Sequence, residues 1–379
     1  MASSYELILT NPQGEKLVEL PKYVSCEYAR KHNDIGSLVL VLPANEYDIS
    51  LFVVGRELRV DNRIEVWRKA NEHSPLYMDM ETPWFIRKFT KRTSMDGEKI
   101  YIIEAVDSIE ILDRRIIPYN EGNEDLTADK VDYADDMIKE IMDENFGAAA
   151  ADANRDLSDW ILIDDPLSLA PSIRKSFSRK NVLTTFKEIA ESSYEQGTPL
   201  VFDLVYFPDS KLFMLRTYTD QRGVDRTVTS GINPLVVGLQ YGTTADIEIE
   251  YNHMDSRNYI YAGGQAVGLI RAVSEASDDL DIARSPFNRR ELFVNKSDTD
   301  DADELEDEAE HAVQENRWKI NFSGTLVNIS SAQYGIDYKY GDKITVEDEN
   351  DRYDVFIDAC SVKIDKNGED VAIALRSSF

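Results

Sequence analysis

The chain has 379 residues, with 71 acidic against 42 basic side chains and a formal net charge of −29. That balance keeps a chain soluble and repels nucleic-acid phosphates and anionic membrane surfaces. Apolar residues are 42% of the chain and aromatics 10%, enough to fill more than one core at this length.

The N-terminus, MASSYELILTNPQGEKLVEL, has no basic stretch followed by an apolar run. The reading is therefore no signal peptide and no export by the usual route. No stretch approaches the roughly 20 apolar residues of a membrane span. Tyr5–Thr10 and Lys16–Leu20 flank a turn with Pro12 at its second position, which predicts a hairpin. Tyr23–Tyr28 and Ser37–Leu42 read as strands around a polar loop, Ala29–Gly36. Leu58–Trp67 alternates as a strand, and residues 68–82 form an excursion. Trp84–Thr90 and Lys99–Val106 pair across Asp96-Gly97, a strong hairpin signal. The best basic cluster, Arg87-Lys88 with Lys91-Arg92, reads as a solvated part of that hairpin, too small for counterion-release binding to DNA.

The character changes at Asp113. Tyr133–Phe146 carries Tyr133, Met137, Ile138, Ile141 and Met142 at helical spacing. Residues 147–159 read as a loop or weak helix. Asn181 opens a second helix that faces Leu183, Phe186, Ile189 and Ala190 inward and ends at Gly197. Leu200–Phe207 and Lys211–Tyr218 predict a further hairpin. Strands then return at Leu235–Leu239, Ala245–Tyr251, Asn258–Ala262 and Leu269–Glu275. Residues 298–310 hold nine acids in 13 positions and lead into a helix ending near Trp318, with Leu305, Ala309, Ala312 and Val313 on one face. Acids there complement the helix dipole. Lys343–Val346, Arg352–Ala359, Ser361–Ile364 and Val371–Leu375 close the chain as short strands.

The end of the chain echoes its beginning. Asp61-Asn62-Arg63-Ile64-Glu65-Val66 is similar to Asp342-Lys343-Ile344-Thr345-Val346. Each is followed by a strand opening on an aromatic, then a Gly-containing turn, then an apolar return strand. The echo predicts two related β units.

No motif nominates an active site. Gly263, Gly264 and Gly268 have phosphate-loop spacing, but Leu269-Ile270 stand where a P-loop needs Lys and Ser or Thr. The four histidines, His32, His73, His253 and His311, have no metal-ligand spacing. His32, His73 and His311 are expected at the surface. Cys26 and Cys360 are the only cysteines. Neither a disulfide framework nor a paired-Cys zinc site is expected, and the usage fits a reducing cytoplasm. The acids at 298–303 break the EF-hand pattern at its third ligand and read as a solvated helix start. With 71 acids, no carboxylate pair stands out as a glycosidase pair.

Several stretches, taken in order, carry a resemblance. Residues 257–271 (RNYIYAGGQAVGLIR) place Gly263 and Gly264 between two strands and end in Arg271. Residues 285–291 (SPFNRRE) bring Arg290 and Glu291 after an acidic loop. The acidic helix follows, then 334–346 (YGIDYKYGDKITV), with Tyr334, Gly335, Gly341 and Asp342. The order resembles the tail hub proteins of long-tailed bacteriophages, the siphovirus branch of the baseplate-hub fold. Arg59-Val60-Asp61 and Arg63–Val66 fit the same pattern.

The resemblance implies a mainly β fold with α+β insertions. Two related tube-type β-barrel domains are expected at 1–114 and 234–379, with an inserted α+β domain at 115–233. The second barrel would hold a small acidic helical element around 276–318. It implies a structural hub at the distal tail tip in the virion, made in the bacterial host cytoplasm. A homotrimer would form a pseudo-six-fold ring around the DNA channel. Expected partners are the distal tail ring protein, the tape measure protein, and a central fibre or receptor-binding proteins. The family-motif residues just named would be structural. No catalytic residue, cofactor, metal, specific nucleic-acid contact or stable membrane insertion is implied. Some hubs of this kind continue into a hydrolase; with this chain ending at Phe379, wall-degrading activity is expected on a partner chain. The alternatives are a tail-associated cell-wall hydrolase or endopeptidase, and a receptor- or carbohydrate-binding baseplate module.

Overall fold

The computed structural model describes residues 3–95, 97–118, 128–177, 179–229, 232–265, 271–296, 301–326, 332–349 and 351–377. The N-terminal strands are β1 (Ser4–Thr10), β2 (Lys16–Glu19), β3 (Ser25–Lys31), β4 (Ser37–Pro43), β5 (Arg63–Lys69), β6 (Trp84–Thr93) and β7 (Lys99–Val106). Asn11 shapes the β1–β2 turn: its side-chain oxygen accepts the N–H groups of Gln13 and Glu15 at 3.0 and 2.8 Å. Strict alternation sets the faces, as in β4, which buries Leu38, Leu40 and Leu42.

Three boundaries depart from expectation, β6 running on to Thr93 rather than ending at Thr90. Strand β3 does not stop at Tyr28 but continues through Lys31, because Cys26, Tyr28 and Arg30 all point inward. The strand expected over Leu58–Trp67 starts only at Arg63. Asp61 takes φ 63, a left-handed turn that interrupts the extended chain.

The intervening module contains β8 (Ala128–Tyr133), α1 (Ala134–Phe146), β9 (Ile161–Ile163), β10 (Ser172–Phe177), α2 (Val182–Glu195), β11 (Leu200–Phe207) and β12 (Leu212–Thr219). Asn181 caps α2, accepting the Thr184 N–H at 3.1 Å, and Gly197 takes φ 87 just past its end. Met137, Ile141, Phe186, Phe202 and Phe213 share one apolar core, which also takes in Phe85 of β6 and Ile109 just beyond β7.

The remaining elements are β13 (Thr244–Asn252), β14 (Tyr259–Gly263), β15 (Val273–Ser277), β16 (Glu291–Asn295), α3 (Ala302–Glu315), β17 (Lys319–Leu326), β18 (Lys343–Asp348), β19 (Asp351–Asp365) and β20 (Gly368–Ser377). Strands β14–β16 form a small sheet, on which α3 seats Leu305, Ala309, Ala312 and Val313 against Ile260 and Ala262. Asp301 caps α3, accepting the Asp303 and Glu304 N–H groups. The two strands expected at Arg352–Ala359 and Ser361–Ile364 are one continuous strand, β19, which absorbs the irregularity as a bulge at Asp358. Around Leu235–Leu239 only Val236–Val237 is extended, and a 3-10 turn follows. Asp96, Gly268, Leu269, Ile270 and the start of the acidic run at 298–300 lie outside the described residues.

The protein is mainly β. Both β-rich ends of the chain enter one 15-stranded sheet whose path runs β13-β17-β20-β19-β3-β4-β7-β6-β5-β1-β2. The echo reappears in this register. Arg63 pairs with Phe85 and Lys343 with Phe356; Ile64 pairs with Trp84 and Ile344 with Val355. In each unit the residue two places after that phenylalanine, Arg87 or Asp358, is skipped by the return strand. The paths β5-β6-β7-β4-β3 and β18-β19-β20-β17-β13 therefore have the same strand order. Strand β3 pairs with the far half of β19, from Ser25 opposite Asp365 to Lys31 opposite Ala359. A shared core joins Leu40, Ile64 and Val66 to Ile344, Ile357 and Val362.

Candidate functional site

The densest polar chemistry lies inside the molecule, where the two β units and the intervening module meet. Arg30 enters from β3, the next inward position after Cys26 and Tyr28. Its guanidinium donates to Asp107 at 2.8 Å, Asp203 at 2.6 Å and the Met80 carbonyl at 2.9 Å. Arg222 completes the set, donating to Asp203 at 2.6 Å and Glu81 at 2.8 Å. Both guanidiniums lie near the Tyr340 ring, at 5.4 and 5.1 Å. Burial alone would raise the Asp203 carboxyl; the two guanidiniums outweigh it and hold it at about 2. Burial raises Asp107, whose attraction to Arg30 offsets only part of the penalty.

A second buried cluster ties the chain ends together. Arg68 on β5 grips Glu369 on β20 at 2.9 and 3.0 Å and donates to the Tyr334 carbonyl at 2.8 Å. Tyr334 and Tyr28 donate their hydroxyls to Asp79 at 2.9 and 2.6 Å. Burial opposes ionisation of Glu369, but Arg68 holds its carboxyl below the ordinary value. Charges removed from water at such cost persist only when paired and hydrogen-bonded. These clusters act as clamps, holding segments far apart in sequence at fixed relative positions.

The residues singled out in the sequence fall into two groups. Tyr334, Gly335, Gly341 and Asp342 belong to the clamps. Gly335 takes φ 81, and a Cβ there would strike the Tyr77 hydroxyl and the Arg68 guanidinium. Gly341 takes φ 88 against Arg222. Asp342 is buried and accepts from Val224 N–H at 2.7 Å, Arg226 at 2.8 Å and Lys339 N–H at 2.9 Å. Gly263, Gly264, Arg271, Arg290 and Glu291 sit instead on the small β14–β16 sheet. There Arg271 lies over Phe293 and donates to the Gly263 carbonyl at 3.0 Å. The Gly264 N–H reaches Ala272 O at 2.9 Å. The Arg290 side chain reaches the His253 carbonyl. Exposed Glu291 accepts from Arg289 at 2.7 Å.

His32 corrects an expectation. It is buried rather than on the surface, because β3 runs further than its polar residues suggested. Its Nδ1 lies 3.4 Å from Asp358, its ring is 5.0 Å from Tyr340, and burial lowers its pKa despite Asp358. It lines a cleft of about 240 Å³ with Asp34, Lys187, Tyr194, Asp358 and Arg376, where Lys187 already pairs with Asp34 at 2.8 Å. Sequence reading missed Arg30, Asp203 and Arg222. For Arg30 and Asp203 the available signal was a charge at an inward position of a strand, plainest for Asp203 within LVFDLVYF; Arg222 lies in the loop after β12 and carried no such signal.

Among the described residues, no group of three or more His, Cys, Asp or Glu could hold a metal ion. No described helix is long and apolar enough to cross a membrane. Cys26 and Cys360 are free and buried, and burial pushes both thiols up.

A family model described as Siphovirus ReqiPepy6 Gp37-like protein matches residues 7–375. No curated protein matches in sequence. Among solved structures, a tail protein from Neisseria meningitidis MC58 superposes with a TM-score of 0.58 at 12% identity, covering 99% of this chain and 97% of that one. The 43 kDa tail protein of prophage MuSo2 from Shewanella oneidensis gives 0.56 at 11% identity, with 98% of each chain covered. Prophage tail protein gp18 from Listeria monocytogenes EGD-e gives 0.51 at 11% identity, covering 97% and 94%. At these identities the likeness is one of fold.

Proposed function

The chain belongs to the Siphovirus ReqiPepy6 Gp37-like family, a family of phage tail proteins, and we propose that it is the structural hub at the distal tip of the tail. Three copies form a ring of six near-equivalent β units around the DNA channel. The observation that carries this reading is the duplicated strand path, with the same bulge position in both units. A duplication lets a three-fold assembly present six similar surfaces to a six-fold tail tube while keeping three-fold symmetry toward the tip. The buried clamps suit the same role, since a joint between tube and tip needs units fixed at a constant angle.

The expected neighbours are a distal tail ring, a tape measure protein, and a central fibre or receptor-binding proteins. The net charge of −29 gives the channel a use for its carboxylates, which repel phosphates and let DNA pass without being gripped. Neutralising channel-facing acids then slows DNA ejection, and unchanged ejection kinetics would refute that role for the charge. Mass photometry of the purified chain across concentration tests the ring. A three-chain species is expected, and a chain that stays monomeric throughout contradicts it.

A further inference from the structure

Among the described residues, two strand edges of the same molecule carry no neighbouring strand. Beyond Arg87, strand β6 is paired with β7 on one side, and among the described residues its other partner strand, β5, stops at Phe85. Strand β13 is paired with β17 and, among the described residues, has no strand on its other side. The internal duplication says what belongs there. The counterpart of β6 is β19, whose corresponding half is covered by β3. The counterpart of β3 is β13. The joint made once within the chain, β19 with β3, thus has both halves of a second copy of itself, β6 and β13, unjoined.

We propose that β6 of one molecule pairs antiparallel with β13 of a second copy of this chain. The inference rests on the ring reading above and names the contact that closes the ring. The internal joint fixes the register. Thr90 stands three residues after the bulge, as Ser361 does, and Ser361 faces Ala29. Ala29 pairs with Ser37 and Ser37 with Val106, as Glu250 pairs with Asn321 and Asn321 with Arg376. Thr90 therefore faces Glu250 of the second copy, Arg92 faces Glu248 and Lys88 faces Asn252.

The charges agree with this placement. Lys88 and Arg92 are exposed on one face of β6, and Glu248 and Glu250 are exposed on the matching face of β13. In a chain of net charge −29, the best basic cluster meets an acidic strand, and opposite charges across a strand pair stabilise it. His32 and His253 also coincide, each three residues beyond Ala29 or Glu250. His32 N–H donates to the carbonyl of the bulge residue Asp358 at 2.9 Å, so His253 N–H is placed to donate to the Arg87 carbonyl of the next copy. Because the two edges differ, the contact is head-to-tail, the kind that closes into a ring.

The test combines charge exchange with cross-linking on the full chain. Arg92→Glu and Glu248→Lys should each weaken assembly in mass photometry by about fivefold per joint, and the double variant should restore it. Thr90→Cys with Glu250→Cys should give a disulfide-closed three-chain species. Thr90→Cys with Tyr251→Cys, which the register puts on opposite faces, should not. A three-chain species without the Thr90–Glu250 link, or with both pairs linking equally, overturns the joint but leaves the hub reading standing. No species above one chain at any concentration overturns both.

Discussion

Asp203 receives two guanidiniums in a buried site; without it Arg30 keeps only Asp107 as a carboxylate partner and Arg222 only the exposed Glu81. Asp203→Asn should cost about 3–5 kcal/mol in urea unfolding, because it removes the buried carboxylate that both cations share and leaves the charge between them under-compensated. The penalty depends on pH in a definite direction. The folded carboxyl titrates at about 2, below its ordinary value, so its stabilisation is complete above roughly pH 5 and fades as pH falls toward 2. The gap between wild type and variant should narrow over that window; a constant gap contradicts the pairing. Glycines separate along similar lines. Gly335→Ala forces a Cβ into Arg68 and Tyr77 and should cost about 1–3 kcal/mol. Gly97→Ala, with a similar φ of 82 but open space around it, should cost less. At this scale the sequence was least legible. It marked Tyr334, Gly335, Gly341 and Asp342 as a motif but not their partners, since Arg68, Arg222 and Arg226 reach them from distant segments.

The α3 helix shows what periodicity conveys and what it omits. The inward face of Leu305, Ala309, Ala312 and Val313 was readable at 3.6-residue spacing, and those side chains do pack, on β14 and its neighbours. Ala309→Asp should detach α3 from that sheet. Hydrogen exchange should then accelerate over 302–315 and 259–263 while β18–β20 remain protected; acceleration across all three strands would contradict an independent small unit. Hairpins and helix caps were legible because single residues such as Asn11, Asn181 and Gly197 dictate them locally. The continuity of β19 through its bulge and the length of β3 were not. Both depend on β3 and β19 pairing with each other, and such a contact leaves no local trace.

At the scale of the whole molecule, the echo between Asp61–Val66 and Asp342–Val346 was a short similarity in sequence and is a shared strand path in structure. The mainly β architecture and the tail-protein family were likewise readable from the order of motifs. The single sheet and core spanning both ends of the chain were not, because burial on both sides of a joint is a property of the assembled fold. The hub proposal concerns how many such units surround the channel and where along the tail they sit. An epitope tag on this chain, imaged by electron microscopy of intact tails viewed down the axis, measures both together. Three labels on a six-lobed ring at the distal tip are predicted. Six labels, or labels repeated along the tube, would contradict it.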